Sequence, residues 1–250
     1  MKKISIIILV FATAIIAQKA IPSGEELVEK MSDIMTQENS KATMTQTITT
    51  SSGKIRTFEF EMFTAYDGEK TLMRYLKPSA VRGQAFLMLN NADDIWTYFP
   101  RTKRVRKLSS SSKNQKVQGS DFSFEDMGSG DSWKIEYNSS NLGSEKYNGT
   151  DCWKLESIGI PDENPSYPKM EVYMRKVDFY PIKIDYFDDD NFIEKTMLLR
   201  DINNIEGVPT AMQMTMKNHS EGTETIMETL SITYKWDPPE NFFTERELKK

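Results

Sequence analysis

Hydrophobic positions in this chain follow two rhythms, and the change between them comes early. Leu27, Val28, Met31, Ile34 and Met35 recur at helical spacing, with Glu25, Glu29, Lys30 and Asp33 on the opposite side. That pattern predicts one amphipathic helix through about Met35. Ser23 stands three residues before Glu26, so each side chain can bond the other's amide in a capping box at the helix start.

Beyond the helix the period becomes two. Ala42, Met44 and Ile48 alternate with polar residues between Lys41 and Thr50, and Phe58, Phe60 and Met62 with Thr57, Glu59 and Glu61. Further strands are predicted over 71–76, 84–89, around Trp96, and over 133–137, 151–158, 169–175, 182–187, 192–199, 211–217 and 224–234. Asp67-Gly68, Asn148-Gly149, Glu206-Gly207 and Glu221-Gly222 supply turns between them. Pro238-Pro239 ends the series, and residues 242–248 predict a short terminal helix. Around eleven short strands behind a single helix predict one antiparallel sheet, not alternating β-α units. The fold class is all-β with a few helices. A sheet of that size curls or splits, and its concave face is the apolar surface that a lone amphipathic helix needs.

One stretch breaks the rhythm. The aromatic strand before Pro100 runs into Arg101, Lys103, Arg104, Arg106 and Lys107, five cations in seven residues, and then into four serines from Ser109 to Ser112. Between Ser109 and Gly119 the only apolar residue is Val117. So little apolar surface does not offset ordering entropy, and this segment is expected to be less ordered than its flanks.

The chain begins with Lys2-Lys3 and an apolar run from Ile4 to Ala17 interrupted only by Ser5 and Thr13. At 14 residues it is shorter than the ~20 needed to span a bilayer as a helix, and it reads as a secretory signal over residues 1–17, followed by one domain over 18–250. Losing Lys2 and Lys3 moves the formal charge from -5 to -7, which with export argues against nucleic acid as a partner. Cys152 is the only cysteine, so no intramolecular disulfide forms and packing must carry stability.

Candidate chemistry is sparse. His219 is the only histidine and sits in a polar turn, there is no Gly-x-Ser-x-Gly, and one histidine with one cysteine is too few for the usual zinc sites. Asp188-Asp189-Asp190 lacks the spacing of a calcium loop and reads as an acidic hairpin turn. No cofactor is implied, and the chain is not read as an enzyme. Methionine is the unusual feature, with 15 in all. Met212, Met214 and Met216 alternate along one predicted strand, Met170 and Met174 along another, and Met62 and Met88 lie in two more. Unbranched, polarizable methionine re-packs around different partners, which suits an adaptable cavity for flexible acyl chains. A merely methionine-rich core is the competing reading. The cationic strip Arg101, Lys103, Arg104, Arg106 and Lys107 carries charge on both faces, more than an edge strand needs to avoid stray pairing. It is a candidate dock for anionic headgroups or an acidic partner protein.

Several runs together carry a resemblance: Tyr75-Leu76-Lys77-Pro78, Arg82-Gly83, Ile95-Trp96-Thr97-Tyr98-Phe99-Pro100, Arg104-Val105-Arg106-Lys107-Leu108-Ser109-Ser110, and Gly119-Ser120-Asp121-Phe122-Ser123-Phe124-Glu125-Asp126. They resemble the bacterial outer-membrane lipoprotein-sorting proteins, the LolA-like family, in a divergent branch. The resemblance implies an incomplete, strongly curved antiparallel β-barrel of about eleven strands, its apolar concave face covered by a helical lid. It implies a periplasmic carrier of lipoprotein or lipid acyl chains, with an inner-membrane transporter and an outer-membrane acceptor as partners and a monomeric state. An accessory module of a lipid-exporting transporter is the alternative function, and an exported hydrolase a further one. On this reading the candidate cavity residues are Leu27, Met31, Ile34, Met35, Phe58, Phe60, Met62, Phe86, Met88, Trp96, Tyr98, Met170, Met174, Met212, Met214 and Met216. The lid-locking arginine of well-known carriers has no counterpart here, because Tyr66-Asp67-Gly68 occupies the matching stretch.

Overall fold

The computed structural model describes residues 21–128, 132–163 and 165–250. The leader predicted over 1–17 lies outside the described residues. Among those described, no helix is long and apolar enough to cross a membrane.

Helix α1 (Gly24–Met35) forms where its spacing predicts, and the Ser23–Glu26 capping box is present in both directions, at 3.1 and 2.9 Å. Among the described residues thirteen strands follow: β1 (Asn39–Thr49), β2 (Ile55–Ala65), β3 (Lys70–Lys77), β4 (Ala85–Leu89), β5 (Asp94–Phe99), β6 (Arg104–Lys107), β7 (Tyr137–Tyr147), β8 (Thr150–Gly159), β9 (Lys169–Arg175), β10 (Pro181–Phe187), β11 (Ile193–Ile205), β12 (Val208–Asn218) and β13 (Thr223–Thr233). Short helices α2 (Phe124–Gly128) and α3 (Trp133–Glu136) stand between β6 and β7, and α4 (Glu245–Leu248) ends the chain.

All thirteen strands belong to one antiparallel sheet in the order β6-β5-β4-β3-β2-β1-β13-β12-β11-β10-β9-β8-β7. The first and last strands pair in the middle, from Lys41↔Thr233 to Thr49↔Glu224. The two edges, β6 and β7, do not meet, so the curved sheet is an open barrel. The strand count exceeds the expected eleven at those edges. The cationic strip is itself a strand, and β7 begins where a strand over 133–137 was expected to end. Trp133–Glu136 is instead a helical turn. Strand β7 was hard to read because its Ser, Asn and Gly residues carry little apolar alternation.

Side chains from the two faces form separate clusters, as the period of two requires. The larger, concave cluster takes Leu27, Val28 and Met31 from α1 with Met44, Phe58, Phe60, Met73, Phe86, Met88, Ile95, Met170, Met174 and Met216 from the strands. The smaller cluster lies on the convex face: Phe63, Leu72, Ala85, Leu87 and Tyr98, packed under Trp236, Phe242, Phe243 and Leu248 of the C-terminal segment. That segment explains why β4 is buried on both sides, from Ala85 to Met88.

Candidate functional site

Because β6 and β7 are opposite edges, the chain joining them must pass across the barrel. Residues 108–128 do so as a strap on the concave side, with Val117, Phe122, Phe124 and Met127 in the concave cluster. The segment Ser109–Gly119, expected to be less ordered than its flanks, is part of this strap. The segment folds as 3-10 turns over Ser110–Asn114 and Val117–Gly119, and Val117 is fully buried. Its contacts are made by a few well-partnered groups, which a count of apolar residues does not register.

The motif of residues 119–126 supplies most of those groups. Gly119 holds φ +73, a left-handed conformation that favours glycine, and its carbonyl accepts from Arg56 at 3.4 Å. The buried Asp121 carboxylate accepts from Thr223 and Thr225 on β13, at 2.5 and 2.8 Å. Phe124 meets Phe86 edge-on at 5.2 Å between ring centres. Ser123 and Asp126 cap α2 reciprocally, at 3.0 and 2.7 Å. Glu125 pairs with Lys113 at 3.7 Å and accepts from Ser166. The strap is thus an aromatic plug held by polar latches.

Two adjoining cavities lie under α1 and the strap. One, of about 140 Å³, is lined by Val28, Met31, Met35, Met170, Ile184 and Met197 together with Trp133, Tyr137, Tyr167, Tyr186, Glu125 and Asp126. The other, of about 300 Å³, is lined by Ile34, Ala42, Met44, Met62, Met127, Tyr180, Met214 and Ile232, among others. Met35, Thr36 and Asp126 belong to both walls.

Among the sequence-predicted site residues, Met31, Ile34, Met35, Met62, Met170 and Met214 line these cavities. Leu27, Phe58, Phe60, Phe86, Met88, Met174 and Met216 belong to the packed concave cluster without lining either cavity. Met35 is 42% exposed and sits at the rim. Three residues are placed elsewhere. Trp96 and Tyr98 lie in the convex cluster, because Ile95 and Thr97 take the inward phase of β5 and the C-terminal segment gives the aromatic face its cover. Met212 is outside both cavities and the concave cluster. Asp201, in a left-handed conformation, interrupts the ladder opposite it, and Ala211 enters the core instead. Sequence reasoning missed the tyrosines 137, 167 and 186 and the strap's own Phe122, Phe124 and Met127. The alternation of Ile184 and Tyr186 was an available signal.

Of the cationic strip, Arg101, Lys103, Arg104, Arg106 and Lys107 are all exposed, on or beside the edge strand β6. Lys107 pairs with Asp94 at 2.5 Å and lies over the Trp96 ring at 4.9 Å. Arg106 lies over Phe99 at 5.9 Å.

Electrostatics in the smaller cavity follow from enclosure. Asp126 is half-buried and forms part of the wall of both cavities, and burial raises its pKa against the opposing pull of Lys195. Glu136 is raised by burial and then by Glu125. Burial also pushes the Tyr137, Tyr167 and Tyr186 phenols well up, with neighbouring carboxylates adding to it. Lys195 is buried and donates to the Tyr167 hydroxyl at 3.0 Å.

An open antiparallel barrel with a helix and a strap across its concave face is the LolA-like, carrier-type fold. A solved domain from Vibrio parahaemolyticus, named for outer membrane lipoprotein sorting, is 29% identical, with a TM-score of 0.82 over 91% of this chain and 98% of its own. A DUF1329 family protein from Desulfovibrio piger is 26% identical, TM-score 0.82, over 90% and 97%. A LolA superfamily protein from Nitrosomonas europaea shares the fold at 20% identity, TM-score 0.76, over 91% and 100%. No curated protein matches the sequence. A family model whose description reads "-like: Uncharacterized protein" matches residues 67–250. The chain belongs to that family, and its fold is LolA-like.

Proposed function

We propose that this chain is a non-enzymatic carrier that shields acyl chains of a lipoprotein or another lipid in its concave interior. On this reading residues 1–17 export it, and it moves cargo through the periplasm between an inner-membrane transporter and an outer-membrane acceptor. The observation that carries the reading is the pair of adjoining, methionine-walled cavities beneath α1 and the strap. Pockets that enclose a ligand hold about 300–1,000 Å³, so the larger cavity stands at the lower bound of that range and the smaller, at about 140 Å³, falls below it. A long acyl chain enters only if the strap yields. Methionine walls suit that exchange, since they re-pack with little strain.

An accessory module without a cavity function predicts a filled interior, which the two cavities disfavour. A hydrolase of the Ser-His-Asp type requires an acid holding an imidazole that faces a nucleophile. Around the sole histidine, His219 Nε2 lies 2.9 Å from Thr196 Oγ1, and that hydroxyl donates to Asp185 at 2.7 Å. Both partners therefore sit on the hydroxyl, and the group lies on the convex side, since Ile184 and Tyr186 flank Asp185 and face inward.

The test is a fluorescent fatty-acyl probe titrated into wild type and Met31→Asp, beside their thermal melts and mass spectrometry of lipids extracted from the native protein. The carrier reading expects saturable probe binding that Met31→Asp weakens by more than it lowers the melt. Failure of the wild type to bind any acyl probe overturns it.

A further inference from the structure

The smaller cavity does not match its neighbour in chemistry. Where the larger is walled by Met44, Met62, Met127 and Met214, the smaller gathers Trp133, Tyr137, Tyr167 and Tyr186 around two carboxylates, Glu125 and Asp126. Tyr167 and Tyr186 stand 4.5 Å apart between ring centres, and Trp133 and Tyr137 6.3 Å apart. Aromatic faces attract cations within about 6 Å of the ring centre, and more strongly where water is excluded.

The charges in and around this space leave a negative excess. Glu125 and Asp126 of α2 are in its wall, Glu136 of α3 acts on them from nearby, and the neighbouring cations are Lys113 of the strap and Lys195 of β11. Lys113 is engaged with Glu125 at 3.7 Å, and Lys195 with the Tyr167 hydroxyl at 3.0 Å. Asp93, near Glu136, and Glu194, near Tyr167, add to the same sign. One Asp126 oxygen accepts from the Ser123 amide, and the carboxylate forms part of the wall of both cavities.

We propose that the smaller cavity is a headgroup site for an ammonium, and that the tail of the same amphiphile lies in the adjoining methionine-walled compartment, past the shared wall of Met35, Thr36 and Asp126. The proposal rests on the carrier reading and narrows its cargo to amphiphiles with a primary or methylated amine at the head. The volume of about 140 Å³ suits such a compact head better than a sugar. An anionic head would add to the existing negative excess.

The test compares three amphiphiles of one chain length, each below its micellar concentration, against the full chain: dodecyltrimethylammonium, dodecyl maltoside and dodecyl sulfate. Wild type is expected to favour the ammonium over the maltoside by about tenfold. Asp126→Asn, which keeps the capping bond, should abolish that preference. Met35→Lys, made at a side chain exposed at the rim, places an ammonium at the shared wall and should abolish it too, so the test survives if the first variant folds poorly. Equal binding of all three by wild type, or a preference for the sulfate, overturns the headgroup site and leaves the carrier reading standing. Binding of none overturns both.

Discussion

The Asp121 amide donates to Thr225 Oγ1 at 2.9 Å, and that hydroxyl donates back to Asp121 Oδ2 at 2.8 Å, a reciprocal pair between strap and β13. Thr223 and Lys116 add bonds to the same carboxylate, at 2.5 and 3.5 Å. Residues so far apart in sequence are thus joined at the centre of the sheet, where the first and last strands pair. This latch decides whether the strap stays on the concave face.

Asp121→Ala is expected to release the strap without melting the sheet. Hydrogen bonds to a charged acceptor contribute ~1.5–3 kcal/mol each, and the buried Thr225 hydroxyl would lose its acceptor. The amides of Val117, Ser120 and Phe124, bonded within the strap, should then exchange with solvent at least about tenfold faster. Amides of the β1–β2 ladder should be unaffected. Native protection across 117–124 in the variant would show that the latch is dispensable.

Phe124→Ala and Leu87→Ala should separate cavity function from stability. Both side chains are buried, the first in the concave cluster and the second in the convex one. Large-to-small changes there cost about 3–5 kcal/mol for phenylalanine and about 2–5 for leucine. Both variants should melt lower, but only Phe124→Ala enlarges the concave space and should change acyl-probe affinity. Equal effects of the two on the probe would place binding outside the concave interior.

How far the sequence could be read depended on whether periodicity or single contacts did the ordering. Helix α1 and the inward phase of β2 were legible because Leu27 and Met31, or Phe58 and Phe60, repeat with one clear partner face. Trp96 and Tyr98 misled because β5 is apolar on both sides, and the cover on the convex side comes from Trp236 and Phe242, far along the chain. The strap's place across the barrel was not legible because it depends on Asp121, Arg56 and Lys113 meeting distant residues, which leaves no periodic trace. Of the candidate site, the methionines were legible as a composition. The tyrosine and carboxylate pocket required the strap to be placed first.

Asp126→Asn tests the electrostatics through pH. Burial raises the Asp126 pKa above its ordinary 3.8, so the folded chain holds this proton more tightly than the unfolded one. The stability this group contributes is therefore present below the ordinary value and is lost as pH rises through the raised one. Asparagine is neutral throughout and can still accept from Ser123. The variant should melt higher than wild type at pH 7, and the gap should narrow as pH falls towards about 4. A variant that melts lower at pH 7 would mean that attraction to Lys195 outweighs the cost of burial.

The last prediction concerns the edge strand β6. Antiparallel partners share a face, so Arg104 and Arg106, opposite Phe99 and Thr97, lie on the concave side of the barrel edge. Val105 and Lys107, opposite Tyr98 and Trp96, lie on the convex side. Lys107 is already engaged by Asp94 and the Trp96 ring. Arg101 and Arg106 border a shallow hollow with Pro100 and the partly exposed Phe99. A carrier that docks there would set this edge of its barrel against an anionic lipid surface. Each arginine near such a surface contributes about 1 kcal/mol. Replacing Arg101, Arg104 and Arg106 by glutamine should therefore weaken binding to phosphatidylglycerol-containing vesicles by about 100-fold. Lys107→Gln should cost far less, and raised salt should weaken wild type towards the triple variant. Co-sedimentation with vesicles of phosphatidylglycerol and of phosphatidylcholine alone measures this. If the triple variant binds the anionic vesicles as wild type does, the strip serves only to keep an edge strand from stray pairing.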